Sequence, residues 1–248
     1  MKTKSAAQTL VDARTSARLR ETLPSDLRPG SVDEAYAIQD EIVALSGGVG
    51  GWKIAPRPNG GAFLCSPIPQ SFFLRPEIPI ARPDLLKPEA EAEIAVRFGR
   101  DLESKPGGHS VEEVMAAVAS LHPVIEILSS RFEDRKTVDP LFNLADLQSC
   151  GAVVVGAPCP DWRTIEMASV PLALSVDGQE VGSTPGGASS HHVFAALAWL
   201  ANHAITRNGG LRKDHVVITG ARVGPVQVRS GAQVTATAGI LGTLRTTL

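Results

Sequence analysis

Apolar and polar residues follow helical intervals mainly in the first part of the chain. From Ser5 to Leu23, Ala6, Leu10, Ala13 and Ala17 fall near one face of a helix, which the segment holding Pro24 and Pro29 ends. Ser31 and Glu34 have capping-box spacing, and Ala35, Ile38, Ile42 and Leu45 continue a second helix until Gly47 and Gly48. Beyond Trp52 the pattern changes to short apolar runs between prolines and glycines, which predicts strands and loops. Two helices interrupt it. One starts at a Ser110/Glu113 capping box and carries Val114, Ala117, Val118 and Leu121. The other runs from about Ser190 to Arg207, with Val193, Leu197, Leu200 and Ala204 on one face and Asn208-Gly209 as its stop. Val170 to Val181 reads as a hairpin around Asp177-Gly178, and Val216 to Leu248, rich in Val and Thr, as strands. Helices and strands segregate, so the predicted class is α+β: one domain, with a helical segment over 1–48 and a β-rich core over 49–248.

The 248 residues, 43% hydrophobic and 20% charged, suit a globular chain that buries roughly three-quarters of its unfolded surface. With 24 basic and 26 acidic residues, net charge -2, nothing global draws it to nucleic acid or an anionic membrane. No run approaches the ~20 apolar residues of a membrane span. Asp12 and Arg14 interrupt the segment after Lys2 and Lys4 before a signal-peptide apolar region can form. Cys65, Cys150 and Cys159 are odd in number and widely spaced, which suits core positions in a reduced compartment. The expectation is a cytoplasmic protein.

The most informative segment for chemistry is Glu91-Ala92-Glu93-Ile94-Ala95-Val96. Alternate side chains of a strand share a face, so Glu91 and Glu93 lie side by side while Ala92, Ile94 and Val96 face the core. Two carboxylates this close repel unless positive charge lies between them, and a divalent cation supplies it most effectively. On spacing alone, a half-exposed strand with two solvated glutamates has the same pattern. Pro123-Val124-Ile125-Glu126-Ile127-Leu128 sets a third carboxylate in an apolar run, where glutamate is rarely buried without a partner. Three carboxylates describe a hard-cation site for Mg²⁺ or Mn²⁺, and no histidine or cysteine spacing suggests zinc. Lys53, between Trp52 and Ile54, is a candidate acid/base whose pKa desolvation would lower; a surface lysine with its stem along the protein fits the same pattern.

The remaining signals are weaker. Gly47 to Gly51 lacks a Walker lysine and the dinucleotide fingerprint and reads as a flexible loop. His191-His192 reads as a helix start. Thr219-Gly220-Ala221-Arg222 follows an apolar strand, where amides and a hydroxyl can hold a carboxylate. No GxSxG elbow occurs.

In order along the chain, Asp33 to Gln39, Gly51-Trp52-Lys53, Glu91 to Ala95, Pro123 to Ile127, Ala198 to Asn202 and Val216 to Gly220 resemble the fumarylacetoacetate hydrolase superfamily. The likeness is greatest to its 2-keto-4-pentenoate hydratase and 4-oxalocrotonate decarboxylase branch and covers the chain from about residue 30 onward. The resemblance implies a mixed β-roll with an N-terminal helical segment, and Mg²⁺ or Mn²⁺ on Glu91, Glu93 and Glu126. That ion would chelate the carboxylate and the 2-oxo or enol oxygen of a small α-keto acid. It further implies Lys53 as the active-site lysine, Ser149, Thr219 and Gly220 at the substrate, and a homo-oligomer. Ala55, Gln70, Leu147 and His191-His192-Val193 depart from the family's usual residues. They border the expected pocket, so they bear on the substrate more than on the fold.

The implied activity is a hydratase adding water to a 2-hydroxy-2,4-dienoate, with a 2-oxo acid decarboxylase as the alternative. A C–C hydrolase ranks behind both, because no histidine precedes His109 to activate water. A non-catalytic metal-stabilised scaffold is the rival from another class, and 4% aromatic residues argue against a sugar-binding module.

Overall fold

The computed structural model describes residues 1–56 and 59–248. Two helices open the chain, α1 (Lys2–Thr15) and α2 (Val32–Leu45), and pack on each other through Ala6, Leu10, Ile38 and Ile42. α1 stops eight residues short of the predicted end. Arg20 instead lends its backbone to residues 131–133, its N–H donating to Arg131 O and its carbonyl accepting from Glu133 N, and Ala17 turns at φ 51° to allow it. Tertiary pairing overrides helix propensity there. Ser31 caps α2 as its spacing predicts, accepting from Glu34 N at 3.2 Å, while the Glu34 carboxylate accepts from Gly30 N rather than closing the box on Ser31.

The β-rich remainder begins with β1 (Val49–Ile54), β2 (Cys65–Pro69), β3 (Phe73–Leu74) and β4 (Glu89–Phe98). A short helix α3 (Val111–Ala117), closed by a complete Ser110/Glu113 capping box, leads into β5 (Val118–Leu128). Val118 and Leu121, expected on that helix, lie in the strand, where they pair with Phe98 and Val96. A one-turn α4 (Pro140–Ala145) precedes β6 (Cys150–Val155). β7 (Leu172–Val176) and β8 (Gln179–Thr184) form the expected hairpin, with Asp177 and Gly178 both at positive φ. α5 (Ser190–Ala204), capped by Ser189, is followed by β9 (Val216–Ile218), β10 (Val223–Gln227), β11 (Gln233–Thr237) and β12 (Thr243–Thr247). His191-His192 is the start of α5, as expected.

Two sheets result. The larger is mixed, in the order β2-β1-β9-β4-β5-β6-β3, with β10 extending along β4; the smaller is β12-β11-β7-β8. β9 pairs parallel with β1 and antiparallel with β4, so a strand from late in the chain separates two early ones. The β1 glycines, read from sequence as loop, are strand residues chosen for closeness. A Cβ on Gly51 would stand 2.1 Å from Val216 O and 2.7 Å from Phe73 Cζ. Gln70 packs against Gly50, at the other end of β1 from Lys53, so it lies farther from the candidate site than expected.

Gly51→Ala should therefore destabilise the protein by about 2 kcal/mol or more, since overpacked backbone contacts cannot relax cheaply. In thermal denaturation this is a drop in Tm of roughly 5 °C or more for a chain of this size. An unchanged Tm would show that β1 and β9 separate freely.

Candidate functional site

The larger sheet gathers the predicted residues on one face. Glu91 and Glu93 alternate along β4, and Glu91 stands directly opposite Glu126 of β5. Their carboxylate oxygens come within 4.8 Å of one another. The opposite face of β4 is wholly apolar: Ala90, Ala92, Ile94, Val96 and Phe98 are fully buried. The pleat thus fixes the carboxylates in place, because a one-residue slip would drive them into the core.

Lys53 reaches this face from β1. Its Nζ donates to Glu126 Oε1 at 2.7 Å and Oε2 at 2.9 Å, and to Gln148 O at 3.3 Å. Glu126 is completely buried, so the lysine is the partner that its place in an apolar run demanded. The expected downward shift of the lysine does not occur. Burial works against its charge, but Glu126 above all, with Glu91 and Glu93 behind it, holds the amine above its ordinary pKa. The contact with Glu126 favours the charged form of Lys53.

Glu93 is anchored from the other edge of β4. Between β9 and β10 the chain turns through Thr219-Gly220-Ala221-Arg222, where Thr219 N donates to Ile94 O and Arg222 N to Ala92 O. This turn aims Gly220 N at Glu93 Oε2, 2.8 Å away. The strand-end amide does bind a carboxylate, but one of the protein's own. Gly220 adopts φ +95°, and a Cβ there would press on Ala55 at 3.1 Å, so Ala55 also borders the site. The Thr219 hydroxyl donates to Ile94 O at 2.7 Å, and Ser149 Oγ donates to Asn143 Oδ1 at 2.7 Å. Both hydroxyl protons are committed inside the protein, leaving only their lone pairs for another ligand.

The position of Gln148 rests on three successive non-glycine residues at positive φ: Leu147 (52°), Gln148 (50°) and Ser149 (63°). Each left-handed residue costs roughly 1–2 kcal/mol, so the turn needs firm support. Asp146, fully buried, provides it: the Arg131 guanidinium pairs with it, and Ser130 Oγ and Arg131 N donate to Oδ2 at 3.1 and 2.9 Å. Sequence reasoning gave Leu147 no such role, since the left-handed turn lacks glycine and leaves no local mark. Cys150, expected in the core, is buried there beside Glu126, and burial pushes its thiol well above its usual pKa.

Repulsion and burial dominate the electrostatics of the carboxylates. Burial first, then Glu126, pushes Glu91 up to about 7; burial, with Glu126 and Glu91 adding, holds Glu93 well above the usual carboxylate range. Lys53 supplies one positive charge against three acids. A divalent cation would fit this deficit, and the donor set of hard oxygens, with no imidazole and a thiol held neutral, suits Mg²⁺ or Mn²⁺ better than zinc.

Residues 64–248 match the family model for the fumarylacetoacetate (FAA) hydrolase C-terminal region. A 2-keto-4-pentenoate hydratase from Paraburkholderia xenovorans is 32% identical over 248 residues, covering 91% of this chain and 87% of that one. A 2-hydroxyhexa-2,4-dienoate hydratase from Comamonas testosteroni is 33% identical over 147 residues, which span 59% of this chain and 54% of the relative. Among solved structures, 4-oxalocrotonate decarboxylase from Pseudomonas putida G7 complexed with calcium and acetate superposes with a TM-score of 0.84 at 21% identity, covering 99% of this chain and 96% of that one. The same enzyme complexed with magnesium and adipate gives 0.81 with the same identity and coverage. The fold is the mixed α+β roll that the resemblance implies, and the chain belongs to the fumarylacetoacetate hydrolase family.

Proposed function

We propose that the protein is a metal-dependent lyase, a hydratase that adds water to a 2-hydroxy-2,4-dienoate and yields a 4-hydroxy-2-oxo acid. The observation that carries this reading is the convergence of Glu91, Glu93, Glu126 and Lys53 on one sheet face in a member of this family. Glu91, Glu93 and Glu126 would hold Mg²⁺ or Mn²⁺, which when bound supplies a Lewis acid and template for the carboxylate and 2-oxo oxygen of the substrate.

The chain's own residues do the rest. The Gly220 amide fixes Glu93, and the Thr219 hydroxyl locks that turn to β4. Lys53, charged and only 14% exposed, keeps a proton at Nζ beside the reacting carbons and stabilises negative charge on the enolate oxygen. Ser149 and Thr219 have lone pairs left for the substrate. In the net reaction the enol proton moves to carbon 5, hydroxide joins carbon 4 and a proton joins carbon 3. The protein is expected to work in the cytoplasm as a homo-oligomer. Among the described residues no helix is long and apolar enough to cross a membrane, and β8, largely exposed with Val181 on it, offers an edge for self-association.

The direct test follows the ultraviolet absorbance of 2-hydroxypenta-2,4-dienoate with Mg²⁺ and with EDTA, together with product masses. Metal-dependent loss of the chromophore with a product one water heavier supports the hydratase. Release of CO₂ from a 2-oxo-3-enedioate without hydration would replace it with the decarboxylase reading. Glu93→Gln should weaken Mg²⁺ binding by about 100-fold or more and lower turnover at least as much, whereas a non-catalytic scaffold would have no turnover to lose. Lys53→Met, assayed at saturating Mg²⁺, should lower kcat by roughly 10²- to 10⁴-fold. Retained turnover would remove Lys53 from the chemistry.

The raised carboxyl pKa values also predict how metal-free stability depends on pH. Between the unfolded glutamate value near ~4.3 and the folded value of about 7 for Glu91, the folded state binds more protons than the unfolded state. Metal-free stability contributed by this group is therefore greatest at low pH and is lost as pH rises through that window, with Glu93 extending the loss upward. Mg²⁺ should raise Tm more at pH 8 than at pH 6, because it displaces those protons. An equal Mg²⁺ effect at both pH values would count against coordination by Glu91 and Glu93.

A further inference from the structure

The face of β4 that carries the acids ends in a cation. Arg97 lies on the same side of the strand as Glu91 and Glu93, four residues beyond Glu93 and about 13 Å along the sheet. Neither neighbouring strand gives it a counter-charge: Ser120 of β5 stands opposite on one side and Val216 of β9 on the other. His122 adds none. Its Nδ1 is hydrogen-bonded to Gly156 O at 2.8 Å, and burial first, with Arg97 in addition, holds its pKa below the ordinary value. Arg97 Nε is buried and has no hydrogen-bond partner among the described residues. A buried guanidinium N–H is unfavourable until an acceptor reaches it.

Arg97 lines a cavity of about 530 Å³ whose wall holds none of Glu91, Glu93, Glu126 or Lys53. Arg75 comes to it from the segment after β3, and Lys213, Asp214 and His215 from the loop before β9. That loop is pinned to the end of β4, with Asp214 N donating to Phe98 O at 2.9 Å and Phe98 N to His215 O at 3.0 Å. His215 is neutral: its Nδ1 accepts from Arg212 N at 3.1 Å, and burial holds its pKa down. Three basic side chains, Arg75, Arg97 and Lys213, thus face one acid, Asp214, an excess of two positive charges. Outside the wall Arg212 and Asp101 cancel as a pair at 3.2 Å. Glu77, exposed two residues past Arg75, still leaves the balance positive.

We propose that this cavity binds a phosphate group, as a second ligand site separate from the carboxylate triad. The chemistry of the wall selects the anion. Three cations on three separate elements, β4, the segment after β3 and the loop before β9, border one space. A tetrahedral dianion presents oxygens in as many directions and carries a charge equal to the excess on the wall. A lone carboxylate, with one charge and two oxygens in one plane, satisfies fewer of these donors. Arg97 supplies a rigid fork of N–H groups, while the exposed Arg75 and Lys213 supply charge that moves to meet the ligand. The cavity is roomier than a phosphate ion, so it also admits the phosphate of a small monoester. Its walls join β4 to the segments flanking β3 and β9, so an occupant ties together strands that position Glu93 and Lys53 and stabilises the folded state.

The test is calorimetric. Inorganic phosphate, glycerol 3-phosphate and acetate are titrated, at pH 8 and low chloride, into Mg²⁺-loaded protein and into protein in EDTA. Phosphate should bind equally well in both, which separates this cavity from the triad, and at least about 10-fold more tightly than acetate. Arg97→Met should weaken phosphate binding by about 10-fold or more. Lys213→Gln, on an exposed loop where misfolding is not at issue, should weaken it by roughly 3-fold. Mg²⁺ binding should stay as in the wild type in both variants. Tighter binding of glycerol 3-phosphate than of phosphate identifies a phosphorylated metabolite as the ligand, and equal or weaker binding identifies the free ion. Phosphate binding that is absent, seen only with Mg²⁺, matched by acetate or untouched by both substitutions overturns the site.

Discussion

Three ionised carboxylates cannot share one face of adjacent strands unless something positive stands among them. Glu91, Glu93 and Glu126 are brought within 4.8 Å by strand register alone, and the rest of the architecture answers the repulsion this creates. Lys53 crosses from β1 to neutralise Glu126, and the Gly220 amide comes from the opposite side to support Glu93. Both depend on β9. Its parallel pairing with β1 sets Lys53 level with Ile218, and its end turns directly into Thr219-Gly220. One short strand of three apolar residues thus positions both counterweights.

The part of this that local sequence carried is the part that local geometry decides. Period-two alternation in Glu89–Phe98 told which side chains share a face, and Glu126 in an apolar run announced a buried acid in need of a partner. The Asp177-Gly178 turn and the Ser31, Ser110 and Ser189 caps were likewise written in a few neighbouring residues. What failed was set by residues far apart in the chain. Seventy-three positions separate Lys53 from Glu126, so no window on the sequence could show that the lysine would be held charged rather than discharged. α1 ended early because Arg20 found backbone partners beside Arg131. Ser149 and Thr219 were expected to contact the substrate, and how their hydroxyl protons are used was not legible in the sequence. Their protons are tied to Asn143 and to Ile94 O.

The left-handed turn at Leu147 to Ser149 joins stability to chemistry. Its conformation is unfavourable locally and is held by the buried Arg131/Asp146 pair, whose removal from either side would leave an uncompensated charge. The turn in return directs Gln148 O toward Lys53 and leads Cys150 into the sheet beside Glu126. Leu147 is buried at that strained position.

The place of β9 in the sheet also governs the order in which the molecule can assemble during synthesis. β1 leaves the ribosome early, yet its neighbour toward β4 is completed only at Ile218, some 160 residues later. Until then the acidic strands β4 and β5 can pair with each other but have neither the lysine nor the glycine amide that offsets their charge. Long-range pairing of this kind closes slowly. The nascent chain therefore carries an uncompensated pair of acidic strands while the residues from Leu128 to Ile218, about a third of its length, are added.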